Sequence, residues 1–174
     1  AGELKLASHP LAWSAATSPV SQTLNSVSCR SANDCWAVGN QITTGPSALR
    51  GELILRWDGL NWSRLGPLAS VPNVNLNSVF CLPNSECWMV GDPSTGELIL
   101  RNVSGTTWTR VGPGTPPDVI LNSVFCVATN DCWAVGASGA IIRFTGGPNW
   151  SLFVDTGAET WNDIYLLNAT NGLL

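Results

Sequence analysis

Short runs of apolar and β-branched residues, separated by clusters of Gly, Pro, Asn and Asp, recur along this chain. Such runs are typical of β-strands, and the clusters between them are typical of turns. The motif Leu-Asn-Ser-Val begins at residues 24, 76 and 121, and a degenerate copy begins at Trp161. The copies begin 52, 45 and 40 residues apart, so the chain is built from repeats of one supersecondary unit.

Each unit contains four strand-like runs, which we label A to D. Strand A is the Leu-Asn-Ser-Val run, strand B begins with Cys-Trp, strand C is an apolar run ending near an arginine, and strand D begins with Trp. The pattern predicts an all-β fold, a β-propeller built of four-stranded antiparallel blades. We expect full blades at residues 24–64, 76–111 and 121–153 and a partial blade at 161–174.

The strand pattern also predicts where side chains point. Strict alternation along strand A would place Leu24 and Ser26 on one face and Asn25, Val27 and Cys29 on the other. The repeated Trp of strand D is large enough to fill the wide outer part of the wedge between neighbouring blades. We therefore expect these Trp residues to serve packing rather than ligand binding.

Residues 10–15 match the strand D pattern, although no strand A, B or C precedes them in the sequence. In propellers closed by strand exchange, an N-terminal strand completes the last blade, and residues 10–15 are expected to do this here. We expect a single, incomplete propeller domain over residues 1–174. Either the chain is a piece of a longer polypeptide or other copies of the chain complete its last blade.

The six cysteines form three Cys-x5-Cys pairs, one in each full blade. Each pair joins the end of strand A to the start of strand B, so a hairpin would bring its members within disulfide range. Metal binding is the alternative, but zinc ligands are usually spaced more closely, and His9 is the only histidine. Disulfides persist in oxidising compartments, which predicts an extracytoplasmic protein. The predicted pairs are Cys29–Cys35, Cys81–Cys87 and Cys126–Cys132.

Charge and hydropathy exclude two classes of partner. Only 11% of the residues are charged and the formal net charge is −4, so no basic surface is available for nucleic acid. The apolar runs are far shorter than the roughly 20 residues that a membrane-spanning helix requires, so no membrane insertion is expected.

One constellation could bind a ligand. Arg56, Arg101 and Arg143 occupy equivalent positions in strand C, where they could present three guanidinium groups around the axis. The alternative is that each arginine bonds a carbonyl or carboxylate of a neighbouring blade. Acidic residues also recur just before the second cysteine of each pair, where we expect them to cap the A–B turn. These residues are Asp34, Glu86 and Asp131.

The unit resembles the BNR or Asp-box-like propeller repeats, and especially secreted propellers of the photosystem II assembly factor type. The best copy runs from Trp133-Ala134-Val135-Gly136 through strand C to Trp150-Ser151. The resemblance implies a propeller fold, whereas the same scaffold serves unrelated activities. The cysteine pairs are not part of the general Asp-box pattern, and only the Asp-Gly and the Trp of its signature remain in residues 57–62.

The predicted function is a non-enzymatic extracytoplasmic scaffold that binds a protein or glycan partner, or other copies of itself, without a cofactor or metal. No catalytic motif stands out. The alternatives are a subunit of an extracellular filament completed by strand exchange, and a sialidase-like glycoside hydrolase using the arginines and Tyr165, the only tyrosine. Four Asn-x-Ser/Thr triplets are possible glycosylation sites. They begin at Asn61, Asn102, Asn149 and Asn168.

Overall fold

The computed structural model describes residues 22–42, 50–66, 68, 74–83, 85–92, 98–111, 119–155, 157, 159–168 and 171–173. Three predicted units form three four-stranded antiparallel sheets, each in the order A-B-C-D. Sheet 1 contains β1 (Thr23–Ser31), β2 (Asp34–Ile42), β3 (Arg50–Trp57) and β4 (Trp62–Arg64). Sheet 2 contains β5 (Asn75–Cys81), β6 (Cys87–Asp92), β7 (Leu98–Asn102) and β8 (Thr109–Arg110).

The third unit and the degenerate copy follow the same order. Sheet 3 contains β9 (Leu121–Ala128), β10 (Asp131–Gly136), β11 (Ala140–Phe144) and β12 (Ser151–Asp155), with a 3₁₀ turn at Ala137–Gly139. Sheet 4 pairs β13 (Tyr165–Asn168) with β14 (Asn171–Leu173). The all-β, four-stranded prediction is confirmed, and the predicted closing strand at residues 10–15 lies outside the described residues. None of the described segments is a helix with the length and apolarity needed to cross a membrane.

A β-bulge in strand A corrects the predicted alternation. Leu24 pairs with Gly39 and Ser26 pairs with Val38, which leaves Asn25 as the extra residue. The same register shift occurs in sheets 2 and 3. Because of the shift, the Leu, Val and Cys of strand A share one face, as the equivalent residues of sheet 2 show by packing together in one core. The prediction that Leu24 and Val27 lie on opposite faces is therefore wrong.

The bulge also explains the glycine that ends the Cys-Trp-Ala/Met-Val-Gly motif. At Gly39, Gly91 and Gly136 a Cβ atom would lie 2.0, 2.0 and 1.9 Å from a carbonyl oxygen of strand A or the residue before it. No side chain fits at that distance, so close approach of the two backbones requires glycine.

The main core lies between successive sheets. The strand B Trp36 of sheet 1 contacts the strand D Trp108 of sheet 2 edge to face, with ring centroids 5.0 Å apart. Trp88 of sheet 2 meets Trp150 of sheet 3 in the same way at 5.2 Å. Edge-to-face pairs of buried indoles add to the energy of area burial. Trp108 and Trp150 of strand D thus pack between sheets, as the sequence predicted, whereas Trp62 packs on residues of its own sheet.

Hydrogen bonds between sheets use the extra residue of each bulge. Asn25 Nδ2 donates to the carbonyl oxygen of Leu76 in sheet 2 at 2.7 Å. Asn77 donates to Leu121 in sheet 3 at 2.9 Å, and Asn122 donates to Trp161 beside sheet 4 at 2.9 Å. Each sheet is therefore linked to the next by the same side chain at the same place.

Candidate functional site

The A–B and C–D turns lie at one end of every antiparallel sheet, and we call this end the disulfide end. The cysteines of each pair are register partners across the A–B hairpin. The structure joins them as predicted, with S–S distances of 2.02 Å for Cys29–Cys35, 2.01 Å for Cys81–Cys87 and 2.05 Å for Cys126–Cys132. The disulfides hold the A–B turns that frame this end of the sheets.

An arginine, an acid and a tryptophan form one group at the disulfide end of sheet 3. Arg143 Nε donates to Asp131 Oδ1 at 2.9 Å, and the guanidinium lies over the Trp133 ring at 4.6 Å from its centroid. The indole Nε1 of Trp133 donates to the same carboxylate oxygen at 2.9 Å. In sheet 2, Arg101, Glu86 and Trp88 repeat this arrangement.

Sheet 1 has a variant of this group. Arg56 Nε donates to Asp34 Oδ1 at 3.2 Å and lies over Trp36 at 5.6 Å. Asp34 also pairs with Arg30 at 3.4 Å, and the Nε1 of Trp36 has no hydrogen-bond partner among the described residues. Two arginines thus share the Asp34 carboxylate, and Arg56 also interacts electrostatically with Asp58 in the C–D turn.

These contacts correct two expectations from the sequence. The acids do not cap the A–B turn, because their carboxylates bind arginine and, in sheets 2 and 3, the indole of the same sheet. The arginines do not bond a neighbouring sheet's carbonyl or carboxylate, because their carboxylate partners lie one strand away in their own sheet. Their side chains nevertheless remain 30–31% exposed, so they stay accessible to a partner.

Arg30 and Asn102 form a polar link that sequence reasoning missed. Arg30 Nη2 donates to Asn102 Oδ1 and lies 3.3 Å from Cys87 Sγ, which connects sheet 1 to sheet 2. The equivalent pair between sheets 2 and 3 is Leu82 and Phe144, both buried in one apolar core. Both members of the first pair are polar and both members of the second pair are apolar. Alignment of the repeats shows these matched polarities, so it could have predicted the two pairs.

Asn102 is not available for glycosylation in the folded chain. It is fully buried, and its Nδ2 donates to the carbonyl oxygens of Ser104, Gly105 and Thr107. A glycan replaces one hydrogen of this nitrogen and needs space around it that a fully buried side chain lacks, so the structure contradicts the prediction at Asn102. The other three asparagines, Asn61, Asn149 and Asn168, are exposed, and their glycosylation stays a prediction.

The retained Asp-Gly of the C–D turn in sheet 1 has a local structural role. Asp58 Oδ1 accepts hydrogen bonds from the backbone N–H of Asn61 at 2.8 Å and of Leu60 at 2.9 Å. The Asn61 bond first, and then the Leu60 bond, hold the pKa of the Asp58 carboxyl below its ordinary value of 3.8. Gly59 follows with a φ of 98°, which favours glycine.

Aromatic rings line the inner strands near the disulfide end. Phe80, Phe125 and Tyr165 occupy equivalent places on the strand A of sheets 2, 3 and 4, with ring centroids 4.4 and 5.0 Å apart. Tyr165 is half exposed. Its described ring contact is edge to face with Phe125, which gives the only tyrosine of the sequence a packing role.

An open cleft of about 770 Å³ lies between sheets 3 and 4 at the disulfide end. Its walls combine apolar side chains with the Arg143–Asp131 pair. The apolar part includes Phe125, Val127 and Leu166. The two Nη atoms of Arg143 bond none of the described residues, so the cleft offers a guanidinium beside an apolar wall. Such a site suits an extended peptide with an apolar and an acidic group.

A second groove, of about 450 Å³, lies on the face of sheet 1 that points away from sheet 2. Leu24, Val27, Leu55 and Trp62 line it. Val27 is 62% exposed, whereas the equivalent Val79 is only 3% exposed because sheet 1 covers it. The groove thus lies on a face of sheet 1 whose equivalents in sheets 2 and 3 are covered by the preceding sheet.

Comparisons with known proteins support the fold. No protein-family model and no curated protein sequence matches the chain. A solved structure described as YCF48 bound to D1 peptide is similar to it, with a TM-score of 0.65 and 19% identity. YCF48 from Cyanidioschyzon merolae is similar with a TM-score of 0.58 and 25% identity. The matches cover 82% and 81% of this chain but only 44% and 42% of those chains, so this chain spans less than half their length.

The matched structures agree with the resemblance to propellers of the photosystem II assembly factor type. The three sheets of this chain therefore have the arrangement of propeller blades.

Proposed function

We propose that this chain is part of a non-enzymatic, extracytoplasmic β-propeller that binds an extended segment of a partner protein at its disulfide end. The observation that supports this most directly is the cleft between sheets 3 and 4, where Arg143 lies beside an apolar wall. The similar YCF48 structure is described as bound to a D1 peptide, which supports peptide binding by a scaffold of this kind.

The chemistry of the disulfide end favours binding over hydrolysis. The recurring carboxylates of Asp34, Glu86 and Asp131 each pair with an arginine of the same sheet, so they are engaged as structural counter-ions. A carboxylate whose oxygens already accept hydrogen bonds from a guanidinium is not placed to contact a leaving group. The three disulfides support an oxidising, extracytoplasmic location.

Peptide selection tests the proposal. A random peptide library displayed on phage should yield binders to the purified chain, and isothermal titration calorimetry should show that Arg143→Gln weakens them about ten- to hundredfold. The control is Arg110→Gln, which changes an exposed arginine of strand β8. Failure to select any peptide, or equal affinity of both variants, would contradict the proposal. Turnover of chromogenic glycosides would instead favour the sialidase-like alternative.

The groove on sheet 1 supports a second candidate, a subunit of a head-to-tail assembly. Val27 and Leu24 are exposed on a face that other sheets of this chain bury against a neighbour. Analytical ultracentrifugation tests this candidate, because Val27→Asp should abolish any concentration-dependent association. A monomer at all concentrations would exclude it.

A further inference from the structure

The buried amide of Asn102 limits the kind of compartment in which this chain can fold. The residue begins the triplet Asn102-Val103-Ser104, which is an acceptor sequence for N-linked glycosylation in a eukaryotic secretory pathway. In the folded chain Asn102 is fully buried, whereas Val103 and Ser104 are exposed. The asparagine is therefore accessible to a glycosylating enzyme only before the chain has folded.

Burial of Asn102 comes too late to protect it in such a pathway. The enzyme modifies the chain as it enters the compartment, before distant segments have assembled. The surroundings of Asn102 are formed by the C–D turn that follows it, residues 104–107, and by Arg30 of sheet 1. Because residues later in the sequence complete the burial, the amide passes the enzyme uncovered.

A glycan at this nitrogen is incompatible with the contacts around it. Nδ2 donates to the carbonyl oxygens of Ser104, Gly105 and Thr107 at 3.3, 3.4 and 2.7 Å, and Oδ1 accepts from Arg30. The first sugar of an N-linked glycan is larger than any amino-acid side chain, so a fully buried position cannot accept it. A glycosylated Asn102 would have to leave the junction of sheets 1 and 2, and its partners would lose their hydrogen bonds.

The strand register brings a second chemical requirement to the same place. Asn102 is the register partner of Cys87, which forms a buried disulfide with Cys81. This bond and the other two disulfides require an oxidising compartment. The junction of sheets 1 and 2 thus needs oxidised cysteines beside an asparagine that carries no glycan.

We propose that this chain folds in an oxidising compartment that attaches no N-linked glycans, such as a bacterial periplasm, and not in a eukaryotic secretory pathway. This inference rests on the extracytoplasmic location in the proposed function and narrows that location. The exposed asparagines of the other triplets, Asn61, Asn149 and Asn168, are then also unmodified in the native protein.

Secretion from yeast tests the proposal, because yeast glycosylates such triplets in an oxidising compartment. The wild-type chain should carry a glycan at Asn102, detected by peptide mapping, and should be retained in the cell. Ser104→Ala removes the triplet but keeps the backbone carbonyl that Asn102 binds, so at least about fivefold more of this variant should reach the medium. The matched control is Asn61→Gln, which removes an exposed acceptor and should leave secretion unchanged.

Blocking glycosylation with tunicamycin separates the effect of the glycan from any other effect of the substitution. The wild-type chain and Ser104→Ala should then be secreted in equal amounts. If the difference between them persists, the glycan is not its cause and the proposal is wrong. The proposal is also wrong if, without the inhibitor, the wild-type chain is secreted as efficiently as Ser104→Ala, whether Asn102 carries a glycan or not.

This proposal and peptide binding fail separately, because the peptide titrations use chain purified from a bacterial periplasm. If yeast secretes the wild-type chain with its three disulfides formed, the choice of compartment is wrong and peptide binding stands. If no peptide binds but retention in yeast depends on the glycan, peptide binding is wrong and the choice of compartment stands. Free thiols in the periplasmic protein would refute the oxidising location on which both depend.

Discussion

Replacing Gly91 by alanine is expected to destabilise the protein strongly, although the change adds a single methyl group. The new Cβ would lie 2.0 Å from the carbonyl oxygen of Asn75, whereas contacts below 3.0 Å do not occur in practice. The two strands must therefore separate by about 1 Å, which disturbs the pairing of Leu76 with Gly91 at the bulge. Overpacking and the weakened backbone hydrogen bonds together give an expected loss of about 2–5 kcal/mol.

Urea unfolding followed by tryptophan fluorescence measures this loss. The matched control is Gly66→Ala, because no atom lies within 4 Å of a Cβ at that position. The control should leave the free energy of unfolding unchanged or raise it by less than about 1 kcal/mol through the lower entropy of the unfolded chain. A Gly91→Ala midpoint equal to that of the control would refute the argument that the bulge excludes a side chain.

Three further predictions concern the links and turns of sheets 1 and 2. Arg30→Leu should lower the free energy of unfolding by about 2–4 kcal/mol, because the buried Asn102 loses its partner. Adding Asn102→Phe should recover at least half of this loss in a double-mutant cycle measured by urea unfolding, and purely additive losses would contradict the link. The Asp58 carboxyl should titrate with a pKa below 3.8 in an NMR experiment, and a pKa above 3.8 would contradict the prediction. The stabilisation that Asp58 gives should therefore be complete above pH 3.8 and disappear as the pH falls through the lowered pKa, and Asp58→Asn should remove this pH dependence. Replacing Cys81 and Cys87 together by serine should lower the free energy of unfolding by about 2.4 kcal/mol, which is the contribution of the entropy of closing a seven-residue loop. An unchanged thermal unfolding midpoint would argue against the bond.

The repeat made much of the fold predictable. Strand order, the four-stranded units and the cysteine pairing all follow from residues that recur at fixed offsets, such as Cys81 and Cys87. Each of these features depends on neighbours within one hairpin or one sheet, so local spacing is sufficient to determine it.

The strand A faces were mispredicted for a physical reason. Asn25 occupies an ordinary position in an alternating pattern, but the structure places it as the extra residue of a bulge. A bulge does not alter residue types, so alternation alone cannot reveal it. The glycine opposite, Gly39, was the available signal, because a glycine inside a strand often marks a close backbone approach.

The partners of the charged groups were mispredicted because ion pairing depends on register. Asp34 and Arg56 come together only once strands B and C are aligned, because Trp36, two residues after Asp34, is the register partner of Arg56. The sequence shows that both residues recur, but it does not show the strand alignment that joins them. The cleft, which depends on how sheets 3 and 4 pack, could not be read from either sheet alone.

The asparagine that links successive sheets has a consequence for how such a chain can change over evolutionary time. Each unit contains both halves of the link, since Asn77 donates forward and the carbonyl oxygen of Leu76 accepts from behind. A gene duplication or deletion of one whole unit would therefore leave the asparagine link complete at every remaining junction. Repeat number can thus change without loss of this link, whereas the Arg30–Asn102 and Leu82–Phe144 pairs differ between junctions and would have to be matched again.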